Sequence, residues 1–442
     1  MQTHFTPEQR SRPSIQVADE VLRKCVHCGF CTATCPTFRL TGDELESPRG
    51  RITLIQNLLE SEATPTAETV ANLDHCLSCL ACESTCPSGV SYRRLIDQGR
   101  ELVEDKYRRP LADRLTRSLL AWLLPRPTWF RRALKTGAIG KPLLRVIGKF
   151  LPQANAMANM MPAQLPDTSD AVKPGFHAAQ GEELMHVALV TGCVQNVLGP
   201  QIDAAAIRVL PRHGCSVTVP EPSTTGCCGA LPHHLGKAAQ ARMMARENMT
   251  VWRKLLENGN QTRPIDSFLM TASGCASMLK DYPHLLSEEK NIGGIDIRIN
   301  DISVILNELF TKESPVIATK RSLPETMAWQ APCSLQHGMQ EKIAPLSVLR
   351  ACGFDVREPR DAYLCCGSAG TYNLLQPEFA DQLGEDKRDK LRATGADIVV
   401  SANIGCISQL NSGDASGTSL RVIHLAEAVD WATGGPKPAS LR

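Results

Sequence analysis

Aromatic residues and long apolar runs are both scarce in this chain of 442 residues. Phe, Trp and Tyr together make up 5% of the sequence, too few for a surface on which nucleic-acid bases stack. No apolar run reaches the roughly 18 residues that a membrane-spanning helix needs. The first residues also lack a basic stretch followed by an apolar one, the pattern of a secretory signal. We therefore expect a cytoplasmic protein that does not bind nucleic acid.

Cysteine, in contrast, is abundant. The chain has 18 cysteines, and in a reducing compartment such a number favours metal binding or catalysis over disulfides. An apolar content of 43% with 21% charged residues is typical of a soluble globular protein. The length predicts two to four domains.

The first hundred residues contain two copies of one cysteine run. The runs Cys25–Pro36 and Cys76–Pro87 share the spacing C-x2-C-x2-C-x3-C-P, which is that of bacterial ferredoxins with two 4Fe-4S clusters. In that arrangement the fourth cysteine of each run binds the cluster of the other run. The spacing predicts one cluster on Cys25, Cys28, Cys31 and Cys86, and a second on Cys76, Cys79, Cys82 and Cys35. Zinc is the alternative, but zinc ribbons use two separated C-x2-C pairs.

A basic segment follows this ferredoxin-like domain. Residues 106–150 hold twelve Lys and Arg residues and one acidic residue, Asp113, with Leu and Trp between them. A basic amphipathic helix could rest on an anionic membrane surface, or the segment could pack on a partner subunit; the sequence leaves both open. Several prolines are expected to interrupt any long helix here: Pro110, Pro125, Pro127 and Pro142.

The remainder of the chain repeats one pattern twice. In each copy a strand, a cysteine, a helix, a second strand, Cys-Cys-Gly, another helix, a third strand and Gly-Cys follow in order. This predicts two homologous α/β halves about a pseudo-twofold axis. Each half places four thiols near strand ends, where α/β sheets build their sites. The candidate metal ligands are Cys193, Cys227, Cys228 and Cys275 in the first half, and Cys333, Cys365, Cys366 and Cys406 in the second.

The predicted fold class is therefore α+β and multidomain, with a helical two-cluster ferredoxin-like domain followed by two pseudo-symmetric α/β Cys-Cys-Gly halves. The predicted boundaries are 1–105 for the ferredoxin-like domain, 106–183 for the basic segment and linker, 184–315 for the first half and 316–442 for the second. Cys215 and Cys352 lie outside the repeated pattern, and we expect them to be buried packing residues.

The whole chain resembles the iron–sulfur subunit of bacterial glycolate oxidase, within a superfamily of Cys-Cys-Gly iron–sulfur oxidoreductase subunits. The resemblance lies in the two ferredoxin runs, the paired Cys-Cys-Gly halves and the segments Ser47–Ile52, Thr271–Cys275 and Cys366–Tyr372. It implies an electron-transfer subunit that takes electrons from a flavin-containing subunit oxidising glycolate to glyoxylate, with D-lactate as a further candidate substrate. The electrons would pass to a quinone or another acceptor. The implied location is cytoplasmic, with peripheral contact to the cytoplasmic face of the inner membrane left open.

No catalytic residue is expected in this chain. It contains no G-x-G-x-x-G and no other recognisable nucleotide-binding fingerprint, so we expect hydride chemistry to occur on a partner flavin. The alternatives are an electron-transfer subunit of lactate utilisation or of glycerol-3-phosphate dehydrogenase, or a disulfide reductase subunit. Met278 and Gln409 stand where related heterodisulfide reductase subunits have a fifth cysteine, which argues against disulfide chemistry. The halves are left with three alternatives: an additional iron–sulfur cluster, zinc, or no metal.

Overall fold

The computed structural model describes residues 1–148, 152–162, 164–222, 226–257, 263–287, 297–317, 326–412 and 420–441. A helical N-terminal domain, hereafter the head, comes first. Its helices are α1 Pro7–Arg10, α2 Pro13–Lys24, α3 Phe30–Ala33, α4 Pro36–Thr41, α5 Pro48–Ser61, α6 Ala67–Asp74, α7 Ala81–Thr85 and α8 Tyr92–Lys106.

The long helices of the head bury one apolar core. Helix α5 begins after Ser47, whose hydroxyl accepts the N–H of Gly50, and Pro48 at its first position fits the helical backbone. Leu22, Ile55 and Leu95, from three different helices, are completely buried together. This core holds the two cysteine runs, which form the loops and short helices at its edge.

Three helices connect the head to the α/β part: α9 Leu111–Leu123, α10 Pro127–Ile147 and α11 Pro152–Met160. Pro110 and Pro127 stand at helix starts, as expected of proline, and Pro125 lies between α9 and α10. The expected interruption at Pro142 is wrong, because α10 continues through this position. Leu111, Leu115, Leu119 and Trp122 form an exposed apolar stripe along α9. Among the described residues, no helix combines the length and the hydropathy needed to cross a bilayer.

Each Cys-Cys-Gly half is built on a sheet. The first half contains β1 Gly175–His177, β2 Met185–Leu189, β3 Cys215–Val219, β4 Ser267–Met270 and β5 Ile299–Asp301, with α12 Gln195–Leu198, α13 Pro200–Arg212, α14 Ala230–His234, α15 Ala238–Glu257, α16 Ser273–Leu279, α17 Tyr282–Leu285 and α18 Ile302–Lys312. The second contains β6 Thr326–Gln330, β7 Asp355–Arg357, β8 Ile398–Ser401 and β9 Val422–His424, with α19 Ala344–Ala351, α20 Tyr372–Leu375, α21 Pro377–Arg392, α22 Ile404–Asn411 and α23 Leu425–Ala432.

The two sheets have the same topology. Their strand orders are β1-β3-β2-β4-β5 and β7-β6-β8-β9. All neighbours are parallel except β1, which runs antiparallel to β3 at the edge. Without β1 the order is identical, which confirms the predicted repeat of two α/β halves. The boundaries stay predictions; the structure adds that β1 joins the first sheet from within the segment predicted as linker.

Reciprocal helix packing joins the halves. Helix α13 follows β2 of the first half and packs on α23, the last helix of the other half. Helix α18 is the last helix of the first half, and it packs on α19, which follows the first strand of the second half. Such exchange of equivalent elements is the pattern of a twofold interface, so the predicted pseudo-twofold relationship is confirmed.

The head contacts both halves through charged side chains. Arg94 donates to both carboxylate oxygens of Asp281 in the first half, at 2.8 and 2.5 Å. Arg39 donates to the hydroxyl of Tyr363 in the second half at 2.8 Å. These contacts hold the cysteine runs of the head against the Cys-Cys-Gly thiols.

Candidate metal centres and central cavity

The two cysteine runs of the head have the same unusual backbone. His27 and Gly29 in the first run, and Ser78 and Leu80 at the equivalent positions of the second, all have positive φ angles between 49° and 82°. Left-handed conformation at a non-glycine residue is unfavourable, so its repetition shows that the loops are held in this shape. The loops fold around two small cavities into which the thiols converge.

Each small cavity is lined by one of the two predicted ligand sets. The first is lined by Cys25, Cys28, Cys31 and Cys86, with Cys82 also on its wall. The second is lined by Cys35, Cys76, Cys79 and Cys82. The fourth cysteine of each run therefore lies with the first three cysteines of the other run, as the sequence spacing predicts. Cys82 borders both cavities, so the two sets are neighbours.

Hydrogen-bond donors lie beside the sulfurs of the second ligand set of the head. The guanidinium of Arg51 lies 3.8 Å from Sγ of Cys35, and the hydroxyl of Tyr92 lies 3.7 Å from Sγ of Cys76. Burial would lower the pKa of Arg51, but the negative charge available on Cys76, Tyr92 and Cys35 raises it. A buried cation and hydrogen-bond donors beside the sulfurs are the protein's means of tuning a cluster's potential.

The thiols of each Cys-Cys-Gly half also come together. Sγ of Cys193 lies 3.4 Å from Sγ of Cys227, and Sγ of Cys333 lies 3.8 Å from Sγ of Cys365. Hydrogen bonds from Cys227 and Cys275 lower the pKa of Cys228 well below its usual value. In the second half, Cys365 and Cys406 lower the pKa of Cys366 in the same way. Both halves therefore form the same four-thiol group, in which the second cysteine of the vicinal pair is hydrogen-bonded to two other thiols.

The glycine of each Cys-Cys-Gly motif is required by the backbone. Gly229 and Gly367 have φ angles of +83° and +86°, a conformation that favours glycine. A Cβ added at Gly229 would lie 3.2 Å from the carbonyl oxygen of Ala241. A Cβ added at Gly367 would lie 2.6 Å from the carbonyl oxygen of Ala380. Since Ala241 and Ala380 lie on the equivalent helices α15 and α21, the glycine lets each vicinal cysteine pair pack against its helix.

This donor set fits a metal centre. Thiolates are ligands for zinc and for iron–sulfur clusters. Four thiolates at about 2.3 Å from a tetrahedral zinc would lie about 3.8 Å apart, which is close to the two sulfur separations above. The chemistry of the four-thiol groups therefore suits zinc or an iron–sulfur centre.

All eight Cys-Cys-Gly thiols line one central cavity of about 350 Å³. Helices α9–α11 close part of it with apolar side chains, among them Leu124, Phe130 and Met157. Asp97, His233 and His234 form a polar patch on its wall. The sequence predicts a separate site in each half, but it does not predict that the two sites share one chamber.

The second head set lies next to the second half. Cys79 of the head and Cys333 pack in one cluster with Leu77, Cys365 and Tyr372. Burial, followed by the nearby Cys333, raises the pKa of Cys79 well above its usual value. The hydroxyl of Tyr372 donates to the carbonyl oxygen of His75 at 3.1 Å. The thiols of the head and of the Cys-Cys-Gly halves thus form a continuous series.

The residues in place of a fifth cysteine have different surroundings. Met278 lines the central cavity. Gln409 is buried, and its amide accepts from Asn373 at 2.9 Å and donates to the carbonyl oxygen of Ala380 at 3.0 Å. Gln409 therefore supports the helix behind the Cys-Cys-Gly turn.

Cys215 and Cys352 are fully buried, which confirms the prediction for them, and burial raises the pKa of each to about 12.

Sequence reasoning missed the polar patch. Asp97, His233 and His234 bring one ligand-type atom each within 4.8 Å of one another. Nδ1 of His234 and Oδ1 of Asp97 are buried and have no hydrogen-bond partner among the described residues. The His-His pair shortly after Cys-Cys-Gly was a signal that could have been used, whereas nothing in the sequence around Asp97 distinguishes it.

Comparison with known families supports the same organisation. A 4Fe-4S dicluster domain matches residues 21–90, and a cysteine-rich domain matches residues 187–280 and 327–411. The head is therefore a domain with two 4Fe-4S clusters, and the Cys-Cys-Gly domain occurs twice, as predicted.

Curated relatives cover the whole chain. It is 39% identical to the glycolate oxidase iron-sulfur subunit of Escherichia coli, over 98% of this chain and 99% of that protein. It is 29% identical to the probable glycolate oxidase iron-sulfur subunit of Bacillus subtilis, over 93% and 94%. Lactate utilization protein A of Bacillus cytotoxicus is 26% identical over 56% of this chain and 99% of its own length.

Among solved structures, a hypothetical protein from Helicobacter pylori has a similar fold. The TM-score is 0.53 at 8% sequence identity, and the match covers 99% of this chain and 75% of that protein. At this identity the likeness concerns the fold alone.

Proposed function

Since this chain belongs to the family of glycolate oxidase iron–sulfur subunits, we propose that it carries electrons from a flavin-containing subunit that oxidises glycolate to glyoxylate. The electrons pass to a quinone or another acceptor. The chain is an oxidoreductase subunit, and the hydride step belongs to the partner because no nucleotide-binding fingerprint occurs here. D-lactate is the second candidate substrate of that partner.

The series of thiol groups carries this proposal. It runs from the first head set through Cys82 to the second, from Cys79 to Cys333 and Cys365, and ends at the shared cavity. When bound, iron–sulfur clusters supply one-electron carriers. The chain's own residues fix the separations and surround the sulfurs with donors and apolar side chains. A series of this kind suits electron transport over a distance better than a single catalytic site does.

We assign the ligands by set. The first cluster is held by Cys25, Cys28, Cys31 and Cys86, and the second by Cys35, Cys76, Cys79 and Cys82. The halves hold their metal through Cys193, Cys227, Cys228 and Cys275, and through Cys333, Cys365, Cys366 and Cys406.

Electrons arrive at the first cluster. Cys28 is the exposed cysteine of the head. Beside it Val26 and Phe30 are 68% and 61% exposed, although large apolar side chains usually pack inside. An apolar rim around an exposed ligand suits the docking of a partner protein. We assign the flavin-containing subunit to this surface.

The basic segment is the proposed membrane contact. The exposed stripe on α9 continues to Trp129 on α10, and Arg126 and Arg132 stack on Trp122 and Trp129 at 5.1 and 5.2 Å from the ring centroids. Apolar and aromatic side chains among arginines suit the interface of an anionic bilayer. The chain would then lie on the cytoplasmic face of the inner membrane. Flotation with vesicles containing anionic lipid, but not with neutral vesicles, is the expected result.

Reduction by substrate tests the proposal. The purified chain with its clusters should not oxidise glycolate or D-lactate, because it has no hydride acceptor. Addition of the flavin-containing subunit should let glycolate bleach the cluster absorbance. Turnover of glycolate by this chain alone would contradict the proposal, and so would clusters that stay oxidised with the partner and substrate present. Parallel assays with D-lactate decide between the two substrates.

A further inference from the structure

The central cavity is larger than its metal centres require. The two head cavities beside the cluster ligands measure about 30 and about 20 Å³, whereas the central cavity measures about 350 Å³. Two centres of the head's size would use only a small part of it. The remaining space is therefore available to a further molecule beside the Cys-Cys-Gly thiols.

The wall of that space is mostly apolar. The lining includes Leu120 and Leu123 of α9, Leu124 directly after it, Leu134 of α10 and Met157 of α11. The opposite side of α9 is the exposed apolar stripe of Leu111, Leu115, Leu119 and Trp122. Sites of this kind, apolar with a few polar groups, bind small organic molecules. Helix α9 thus has one apolar face toward the cavity and another exposed at the surface. A lipid-soluble molecule suits a site behind such a helix.

The polar patch supplies acid–base groups. His233 Nδ1 lies 3.9 Å from a carboxylate oxygen of Asp97, and His234 Nδ1 and Asp97 Oδ1 have no partner among the described residues. Histidine is the side chain best suited to pass protons near neutral pH. Burial, and then the charges of Arg100, His233 and Arg93, hold the pKa of His234 well below its usual value. Proton donors beside the metal-binding thiols suit an acceptor that takes up protons together with electrons.

We propose that this cavity binds the headgroup of a lipid-soluble quinone between the Cys-Cys-Gly thiols and the patch formed by Asp97, His233 and His234. The inference rests on the proposed function, which supplies two electrons from the flavin-containing subunit. The quinone takes up those two electrons and two protons and leaves as a quinol. His233 and His234 deliver the protons to the two carbonyl oxygens of the quinone, and solvent replaces them through Asp97.

Other charged groups face the same patch. Arg93 and Asp281 line the cavity with it, and Arg100 acts on His234 from α8. The two arginines disfavour a positive charge on His234, and Asp97 and Asp281 are the carboxylates that face the patch. His234 is therefore kept neutral and delivers its proton as a relay, taking one up at one ring nitrogen as it gives one from the other, whereas His233 Nδ1 lies 3.9 Å from the carboxylate of Asp97.

The test uses the full chain with its clusters and the flavin-containing subunit. Binding of a short-tailed quinone is measured by calorimetry on the chain alone. Glycolate-driven bleaching of the clusters and their reoxidation by the quinone are then followed separately by stopped flow. The variants are His233→Gln, His234→Gln and Met157→Trp, the last of which fills the cavity. His213→Gln is the matched control, since His213 is partly buried but packs on Phe310.

The expected results separate binding from proton delivery. Met157→Trp should weaken quinone binding at least tenfold with normal bleaching by glycolate. His233→Gln and His234→Gln should bind the quinone nearly normally, slow reoxidation at least tenfold and change its pH profile. His213→Gln should behave as the unsubstituted chain. Unchanged quinone binding in Met157→Trp would overturn the proposal, as would normal reoxidation in both histidine variants.

Two further outcomes are informative. One equivalent of divalent metal, removed by a chelator and absent from His234→Gln, would overturn the proposal, because imidazoles bound to a metal do not relay protons. Failure of glycolate to bleach the clusters of the unsubstituted chain would count against the proposed function. Quinone binding by calorimetry would still support the cavity assignment in that case, so the two failures are distinguishable.

Discussion

Arg51 and Glu46 form an ion pair inside the head, 2.5 Å apart, with side chains that are 1% and 6% exposed. The same guanidinium donates to the carbonyl oxygen of Asn72 at 2.7 Å and lies 3.8 Å from Sγ of Cys35. Removing one partner of a buried pair leaves an uncompensated charge, which is more costly than losing the attraction itself. Arg51 therefore links the stability of the head to the surroundings of the second cluster.

Arg51→Met should destabilise the head by about 3–5 kcal/mol, because Glu46 is left buried with only His75 Nδ1, at 2.6 Å, beside its carboxylate. Chemical unfolding followed by cluster absorbance measures this. The double variant Arg51→Met with Glu46→Gln should recover part of the loss. Arg49→Met is the control: its pair with Glu44 is 33% and 45% exposed and should cost about 0–1 kcal/mol. Equal losses at Arg49 and Arg51 would contradict this account.

The crossed ligand sets make a prediction at single cysteines. Cys35→Ser should disturb the cluster on Cys76, Cys79 and Cys82, and Cys25→Ser should disturb the other one. EPR spectra of the reduced protein distinguish the two clusters. The assignment is wrong if both variants lose the same cluster, because each run would then hold its own.

The four-thiol groups should bind metal independently of the head. Cys228→Ser and Cys366→Ser each remove the thiol that is hydrogen-bonded to two others in its half, so each should release the metal of its own half. The head clusters should keep their EPR signals. Metal analysis and EPR check both points. Cys215→Ser is the control, because Cys215 is buried at the start of β3 and does not line the central cavity; this variant should lose stability but no metal. Full metal content in both variants would falsify the assignment.

The surface around Cys28 should affect partner docking. Phe30→Glu places a charge on the exposed apolar rim, so cluster reduction through the flavin-containing subunit should slow several-fold at unchanged iron content. Stopped-flow bleaching by glycolate measures this. Val316→Glu is the matched control, since Val316 is 79% exposed in the segment that follows α18. Similar effects of both substitutions would mean that electrons arrive elsewhere.

The first half should become less stable as the pH rises. Burial raises the pKa of Asp301 to about 7, against hydrogen bonds from Ser303, whereas the unfolded chain has an ordinary carboxyl. Folding therefore favours the protonated acid, and stability falls between the two pKa values as the pH rises. Asp301→Asn keeps a side-chain oxygen to cap α18 and removes the charge.

Thermal unfolding at pH 5 and pH 8 checks this prediction. The unsubstituted chain should lose as much as about 2 kcal/mol through Asp301 over this range, and Asp301→Asn should reduce that loss. Asp266→Asn is a suitable control, because Asp266 is partly exposed and pairs with Arg263 at 3.2 Å. An identical pH dependence in the Asp301 variant and the unsubstituted chain would contradict the prediction.

Cysteine spacing made the head largely predictable. The spacing of the two runs is a local constraint on reach, so the crossed grouping of Cys35 and Cys86 followed from the sequence. The repeat was predictable because each half contains its own strands and its own Cys-Cys-Gly turn. The shared cavity was not, since it depends on how the halves face each other. Asp97 and His233 are far apart in the chain and meet only because the head docks on the first half.

The reciprocal packing of α13 on α23 has a consequence for synthesis of the chain. Helix α13 ends at Arg212, and its packing partner does not begin until Leu425. During translation the part of α13 that packs on α23 is therefore uncovered until residue 432 has left the ribosome. Partly made chains with such surfaces are prone to aggregate. The first half therefore reaches its final packing only after α23 of the second half has been synthesised.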